Sequence, residues 1–159
     1  MYAVASTSAS AGPFAFFDDL VRCETRLYNA LDTKLRAEHG LAASQFEFLH
    51  YLREHPEARV IEVSGNFAAG IGAISKGMDR LEARGWVARL PNPADRRSSL
   101  ITLTSAGTEL LVAAERTTQE LLTALLGPTL SPAQLAAAGA ALAALRRALE
   151  DARVGIPVG

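Results

Sequence analysis

The sequence predicts a mainly α fold carrying one small β-hairpin, and three observations predict it. Apolar residues recur every three or four positions over most of the 159-residue chain, the spacing of helices with one buried face. That spacing breaks between Trp86 and Leu103, where two short extended stretches flank the turn-forming run Pro91-Asn92-Pro93-Ala94-Asp95. Capping residues and Gly or Pro stops punctuate the periodic segments at helix-sized intervals.

The first helix runs from Phe14 to Glu38 through Phe17, Leu20, Val21, Leu27, Tyr28, Leu31 and Leu35, and His39-Gly40 stops it. Ser44 and Glu47 make a capping box for a second helix through Phe46, Leu49, Tyr51 and Leu52, which Pro56 ends. A short helical stretch follows around Ile61 to Phe67, then another from about Gly70 to Arg84, closed by Gly85. In the latter, Ile71, Ile74, Met78 and Leu81 share the core face, with Gly72, Ala73, Lys76 and Arg80 opposite. Trp86 to Leu90 and Ser98 to Leu103 form the hairpin. Thr104 caps a helix to about Leu126 that Gly127-Pro128 terminates. Ser131-Pro132-Ala133-Gln134 opens the last helix, striped with Leu135, Leu142, Leu145 and Leu149. Residues 1–12 and 151–159 read as frayed tails.

The length suits one domain, and composition narrows the function classes. Sixteen Lys and Arg against 17 Asp and Glu leave a net charge of −1, so any basic site is local. One Cys and three scattered His exclude a disulfide framework and offer no zinc-ligand spacing, and no cofactor is implied. No phosphate-cradling glycine loop and no nucleophile-base set appears, so the chain does not read as an enzyme. Gly127, Pro128, Ser131 and Pro132 interrupt the uncharged run from Leu121 to Ala144, and no basic segment opens the chain. A soluble cytoplasmic protein is the expectation.

Helix, short helix, turn, helix, hairpin is the order of a winged helix-turn-helix, here residues 41–103, between helical segments 13–40 and 104–150. Such a unit places one helix in the major groove of DNA while the two-stranded wing reaches toward the minor groove. Charge agrees with this placement. Gly70 to Leu100 holds six basic residues against three acidic ones, an excess of +3, leaving −4 for the rest. Phosphate neutralisation supplies most sequence-independent affinity. The leucine stripes of the first and last helices exceed what one subunit of this size covers, which predicts a homodimer.

The run Lys76-Gly-Met-Asp-Arg-Leu-Glu-Ala-Arg-Gly85, then Trp86-Val87, then Asp95-Arg96-Arg97-Ser98-Ser99-Leu100-Ile101-Thr102-Leu103-Thr104-Ser105-Ala106-Gly107, resembles the multiple antibiotic resistance regulator (MarR) family. The resemblance extends from Phe14 to Glu150. It implies a homodimer with interlocking first and last helices, so that 13–40 and 104–150 form a dimerisation region. It also implies a transcriptional repressor on a pseudo-palindromic double-stranded DNA operator, relieved by a small ligand or by cysteine oxidation. By position, Arg97 falls on the family's minor-groove arginine and Asp95 on the carboxylate bracing it; Arg96 meets phosphate. Gly72, Ala73, Ser75 and Lys76 match the groove-facing part of the recognition helix, with Arg80 as a backbone contact. Gly70, Gly72 and Gly77 depart from the usual pattern, and close backbone approach to DNA is one compensation for the helix propensity they lose.

Several residues carry two readings. Arg84 and Arg89 are phosphate contacts or solvated charges, and Trp86 packs under the wing. Cys23 is a redox switch or a small packing residue. Glu24 falls within the apolar stripe of the first helix, as one half of an ion pair at the dimer interface or as a polar anchor in an effector pocket. Arg22, Arg26, Phe46 and His50 are the residues facing the cleft where the resemblance places effectors, and arginine with aromatic walls suits an aromatic carboxylate or phenol. The alternative functions are a redox-sensing repressor using Cys23 and a helical protein-interaction module without DNA binding.

Overall fold

The computed structural model describes residues 12–157, and its elements are α1 (Pro13–His39), α2 (Ala43–Glu54), β1 (Ala58–Arg59), α3 (Val60–Asn66), α4 (Ile71–Ala83), β2 (Val87–Pro91), β3 (Ser99–Leu103), α5 (Ser105–Leu126) and α6 (Pro132–Asp151). Residues 1–11 of the expected N-terminal tail lie outside the described residues. Residues 152–157 of the expected C-terminal tail form a turn after α6, in which the Val154 N–H donates to the Leu149 carbonyl.

Local chemistry explains most boundaries. Gly40 stops α1 in the left-handed region at φ 61°, its N–H donating to the Arg36 carbonyl. The Thr104 hydroxyl accepts the Gly107 N–H at 3.0 Å and opens α5. Ser131 and Gln134 form a reciprocal box at the start of α6, with Gln134 Oε1 taking the Ser131 N–H at 2.9 Å.

The start of α2 differs from expectation. Ala42 is the cap position, Gln45 Oε1 accepts its N–H at 2.9 Å, and Asp32 Oδ1 of α1 accepts the Ala43 N–H at 2.8 Å. Ser44 lies exposed inside the first turn. One of the two acceptors comes from a neighbouring helix, which local spacing does not display.

The sheet has the antiparallel order β1-β3-β2, with Val87 opposite Leu103, Pro91 opposite Ser99 and Ala58 opposite Ile101. The hairpin expected from the sequence thus gains a third strand, two residues long and too short to show a period of two. Ile101 and Val87 point inward to join Leu35, Leu49, Leu52, Val63, Ile74, Met78, Leu81 and Leu111 in one core under the helix-turn-helix.

Only the C-terminal part of α1 enters that core. Leu35 is buried and Leu31 packs beside it, while Phe14 is 82 % exposed and Phe16, Phe17 and Val21 are exposed too. α6 buries none of its residues. Among the described residues, no helix is long and apolar enough to cross a membrane.

α1 meets α2 through a half-buried pair in which the Tyr28 hydroxyl donates to Glu47 Oε2 at 3.2 Å. Burial, reinforced by the Glu47 charge, pushes the Tyr28 phenol from 10.0 up to about 12. The folded state therefore holds this proton more tightly than the unfolded state. Its stabilising contribution is complete below pH 10 and is lost as pH rises through about 12. An alkaline titration followed by phenolate absorbance should show a late transition in the wild type that Tyr28→Phe removes; an unchanged late transition in the variant would assign it elsewhere.

Candidate nucleic-acid interface

α4 follows the N-cap residue Gly70 and presents two unlike faces. Ile74, Met78 and Leu81 are buried at three- and four-residue spacing, so Gly72, Ala73, Lys76 and Arg80 are forced outward; Ser75 is half-buried at the flank. Ile71, expected in the core, is 52 % exposed; it is the first residue of α4, one turn before Ile74, where burial begins.

The glycines of α4 separate by cause. A Cβ on Gly77 would lie 2.9 Å from Phe48 Cε2, so this glycine lets α2 and α4 approach; the close approach is to a neighbouring helix rather than to DNA. Gly70 and Gly72 have open space around them. Gly72→Ala should therefore raise stability by up to about 1 kcal/mol, read as an upward shift in the thermal midpoint; a lower midpoint would show a hidden constraint.

The wing tip is built by side chains binding backbone. Asn92, 8 % exposed, accepts the Ala94 N–H at 3.0 Å and donates to the Ser98 hydroxyl at 2.8 Å. Asp95 Oδ1 accepts the Arg97 N–H at 2.9 Å, an Asx turn. Asp95 thus holds the backbone beneath Arg97, and among the described residues its carboxylate makes no hydrogen bond or ion pair with the guanidinium. Asn92, between two prolines of the turn-forming run, shapes the wing tip together with Asp95. Arg96 and Arg97 stand exposed, and among the described residues neither side chain has a hydrogen-bond or ion-pair partner.

The other basic residues divide cleanly. Arg89 pairs with Asp79 at 2.5 Å and lies 3.5 Å from Glu82, so it ties β2 to α4. Arg84 stacks over the Trp86 ring at 4.2 Å, and Trp86 packs against the core as expected. Lys76, Arg80, Arg96 and Arg97 carry no carboxylate partner among the described residues, and they occupy the outer face of α4 and the tip of the wing. Partner-free cations on a helix face and an adjacent hairpin suit a polyanion with a groove.

At its base the wing is joined to α5 through the segment Leu103-Thr104-Ser105-Ala106-Gly107. The Thr104 N–H donates to the Trp86 carbonyl at 3.1 Å and its hydroxyl to the Gly85 carbonyl at 2.7 Å. Gly107 faces that carbonyl so closely that a Cβ would fall 2.0 Å from the Trp86 oxygen.

The remaining candidates are only partly brought together. Phe46 and His50 line a cavity of about 510 Å³ between α2, the end of α3 and α6. Arg22 and Arg26 do not line it: Arg22 pairs with Asp18 one turn back at 2.8 Å, and Arg26 donates to the Arg22 carbonyl. His50 Nδ1 lies 3.0 Å from Glu115, whose carboxyl the Arg53 guanidinium holds below the usual range. Glu24 is exposed rather than buried, because the part of α1 that carries it is uncovered in the single chain. Cys23, the only cysteine of the sequence, is exposed there as well.

A helix-turn-helix backed by a three-stranded sheet, with arginines at the tip of its hairpin, defines a winged-helix protein. Residues 41–99 match the MarR family. The match covers the winged unit and leaves the flanking helices α1, α5 and α6 outside it. The multiple antibiotic resistance protein MarR of Escherichia coli is 37% identical over 67 residues, 42% of this chain and 46% of that protein, so the chain spans about half the length of this relative. A crystal structure of a mutant MarR from E. coli complexed with operator DNA has 26% identity and a TM-score of 0.71, over 85% of this chain and 99% of that one. A MarR family transcriptional regulator from Streptomyces coelicolor, in complex with DNA, shares the fold at TM-score 0.79 and 23% identity, over 93% of this chain and 94% of that one.

Proposed function

We propose that this chain is a sequence-specific DNA-binding transcriptional regulator that acts as a repressor in the cytoplasm, a homodimer on a pseudo-palindromic operator. The observation that carries the reading is the set of partner-free cations on the outer face of α4 and the tip of the wing. In this reading Gly72, Ala73, Ser75 and Lys76 face the major groove. Arg80 and Arg96 meet phosphate, and Arg97 enters the minor groove, where a narrow groove concentrates negative potential. The operator complex of the E. coli relative supports it.

Residues 13–40 and 104–150 form the dimerisation region in this reading. Its support is apolar surface that the chain leaves open: Phe14, Phe16, Phe17 and Val21 on α1, and Leu135, Leu142, Leu145 and Leu149 on α6, each between 39% and 82% exposed. Sedimentation at micromolar concentration should give about twice the 16.9 kDa chain mass; a folded monomer would overturn the architecture.

The deciding experiment is fluorescence anisotropy with a pseudo-palindromic duplex from upstream of the protein's own gene, against a scrambled duplex at physiological salt. Tighter binding to the palindrome, weakening steeply with added salt, is expected. Equal affinity for both duplexes would remove sequence-specific regulation. Gly72→Ala in the same assay isolates the helix surface: lower affinity in a more stable protein would mark close backbone approach to DNA at that position.

A further inference from the structure

The cavity of about 510 Å³ beside the helix-turn-helix has aromatic walls, Phe46, Tyr51 and Phe67, and charged groups set among them. Its volume lies within the ordinary range of small-molecule sites. Most lining charges are already neutralised by neighbours. Glu54 pairs with Arg53 at 3.1 Å, and Arg146 with Glu150 at 3.0 Å. His50 is engaged by Glu115, and His55 Nδ1 by the Tyr51 carbonyl at 3.0 Å.

Glu47 is the exception. It is half-buried, its one hydrogen-bond partner is the Tyr28 hydroxyl, and no cation lies within ion-pair distance of it among the described residues. Burial raises its carboxyl above the ordinary carboxylate value, and the neighbouring charge of Glu24 pushes in the same direction. A carboxylate that has lost water without gaining a cation is a site of unspent electrostatic attraction.

We propose that this cavity binds an organic cation, an ammonium carried on a small apolar or aromatic body, with Glu47 as its counter-ion and the aromatic rings as its walls. Ring faces attract ammonium groups through their quadrupole, and a desolvated carboxylate adds the charge-assisted contact. The chemistry is opposite to that expected from Arg22 and Arg26, because those arginines stay outside and a carboxylate takes their place. Arg146, the one guanidinium lining the cavity, is tied to Glu150 and opposes a cation only weakly.

Isothermal titration calorimetry on the full chain without DNA, using benzyltrimethylammonium and benzoate as probes, tests this independently of whether the chain reads DNA. Saturable binding of the ammonium and weaker or absent binding of benzoate are expected. Glu47→Gln should weaken the ammonium about tenfold or more. Arg146→Gln, on an exposed helix and without risk to the core, should strengthen it about two- to threefold by removing a like charge. No saturable ammonium binding, tighter binding of benzoate, or an Arg146→Gln variant that binds the ammonium less well would each overturn the proposal.

Discussion

Gly107→Ala should cost about 3 kcal/mol or more of folding stability, at or beyond the upper end of overpacking effects. The new Cβ would stand 2.0 Å from the Trp86 oxygen, 2.9 Å from the Trp86 carbonyl carbon and 3.2 Å from its Cα. All three are backbone atoms, so no rotamer change relieves the contact. The Trp86 carbonyl already accepts the Thr104 N–H, and Thr104 itself caps α5 and reaches back to Gly85. Separating the chains at this point would therefore break the cap and the base of the wing together. At fixed protein concentration the thermal midpoint should fall by roughly 6–12 °C, while Gly72→Ala in parallel should not lower it. A Gly107→Ala protein melting like wild type would refute the close approach.

Arg97→Ala should weaken binding to the palindromic duplex by about 1–3 kcal/mol, roughly five- to 150-fold in Kd, with helical content and dimer mass unchanged. The side chain is exposed on a hairpin tip and supports nothing in the core, so its loss should be felt by DNA alone. The Asx turn makes the companion substitutions sharper. Asp95→Ala removes the acceptor of the Arg97 N–H and should cost less than Arg97→Ala, since it also removes a negative charge near phosphate. Asp95→Asn keeps an acceptor oxygen at the same place and should bind as well as wild type or better. The double variant Asp95→Ala with Arg97→Ala should lose little beyond Arg97→Ala, because one residue acts through the other. Anisotropy titrations of the set at one salt concentration check all four; wild-type affinity in a folded Arg97→Ala protein would refute the wing's part in the interface.

The site itself was partly legible. Lys76, Arg80, Arg96 and Arg97 could be placed from periodicity and turn chemistry, because each lies within a few residues of the signals that orient it. The resemblance supplied their expected roles. Arg89 could not be resolved, since its partners Asp79 and Glu82 sit on another element and only folding brings the three together. The ligand candidates divided as well: Phe46 and His50 share a face of α2 and line the cavity, whereas Arg22 and Arg26 are held by contacts along α1.

By itself the sequence determined the order and type of the main elements, the caps at Gly40, Thr104 and Ser131, and the buried face of α4 from Ile74 onward. These depend on hydrogen bonds and periodicities that close within one or two turns of chain. The tertiary structure alone decided the capping of the Ala43 N–H by Asp32 of α1 and the pairing of the two-residue strand β1 with β3. It also decided why Gly77 and Gly107 are glycines and that Glu47 lines a cavity with no cation at ion-pair distance from it among the described residues. In each case the deciding atoms come from segments distant along the chain, where sequence spacing carries no information about distance and only close packing of the folded chain does.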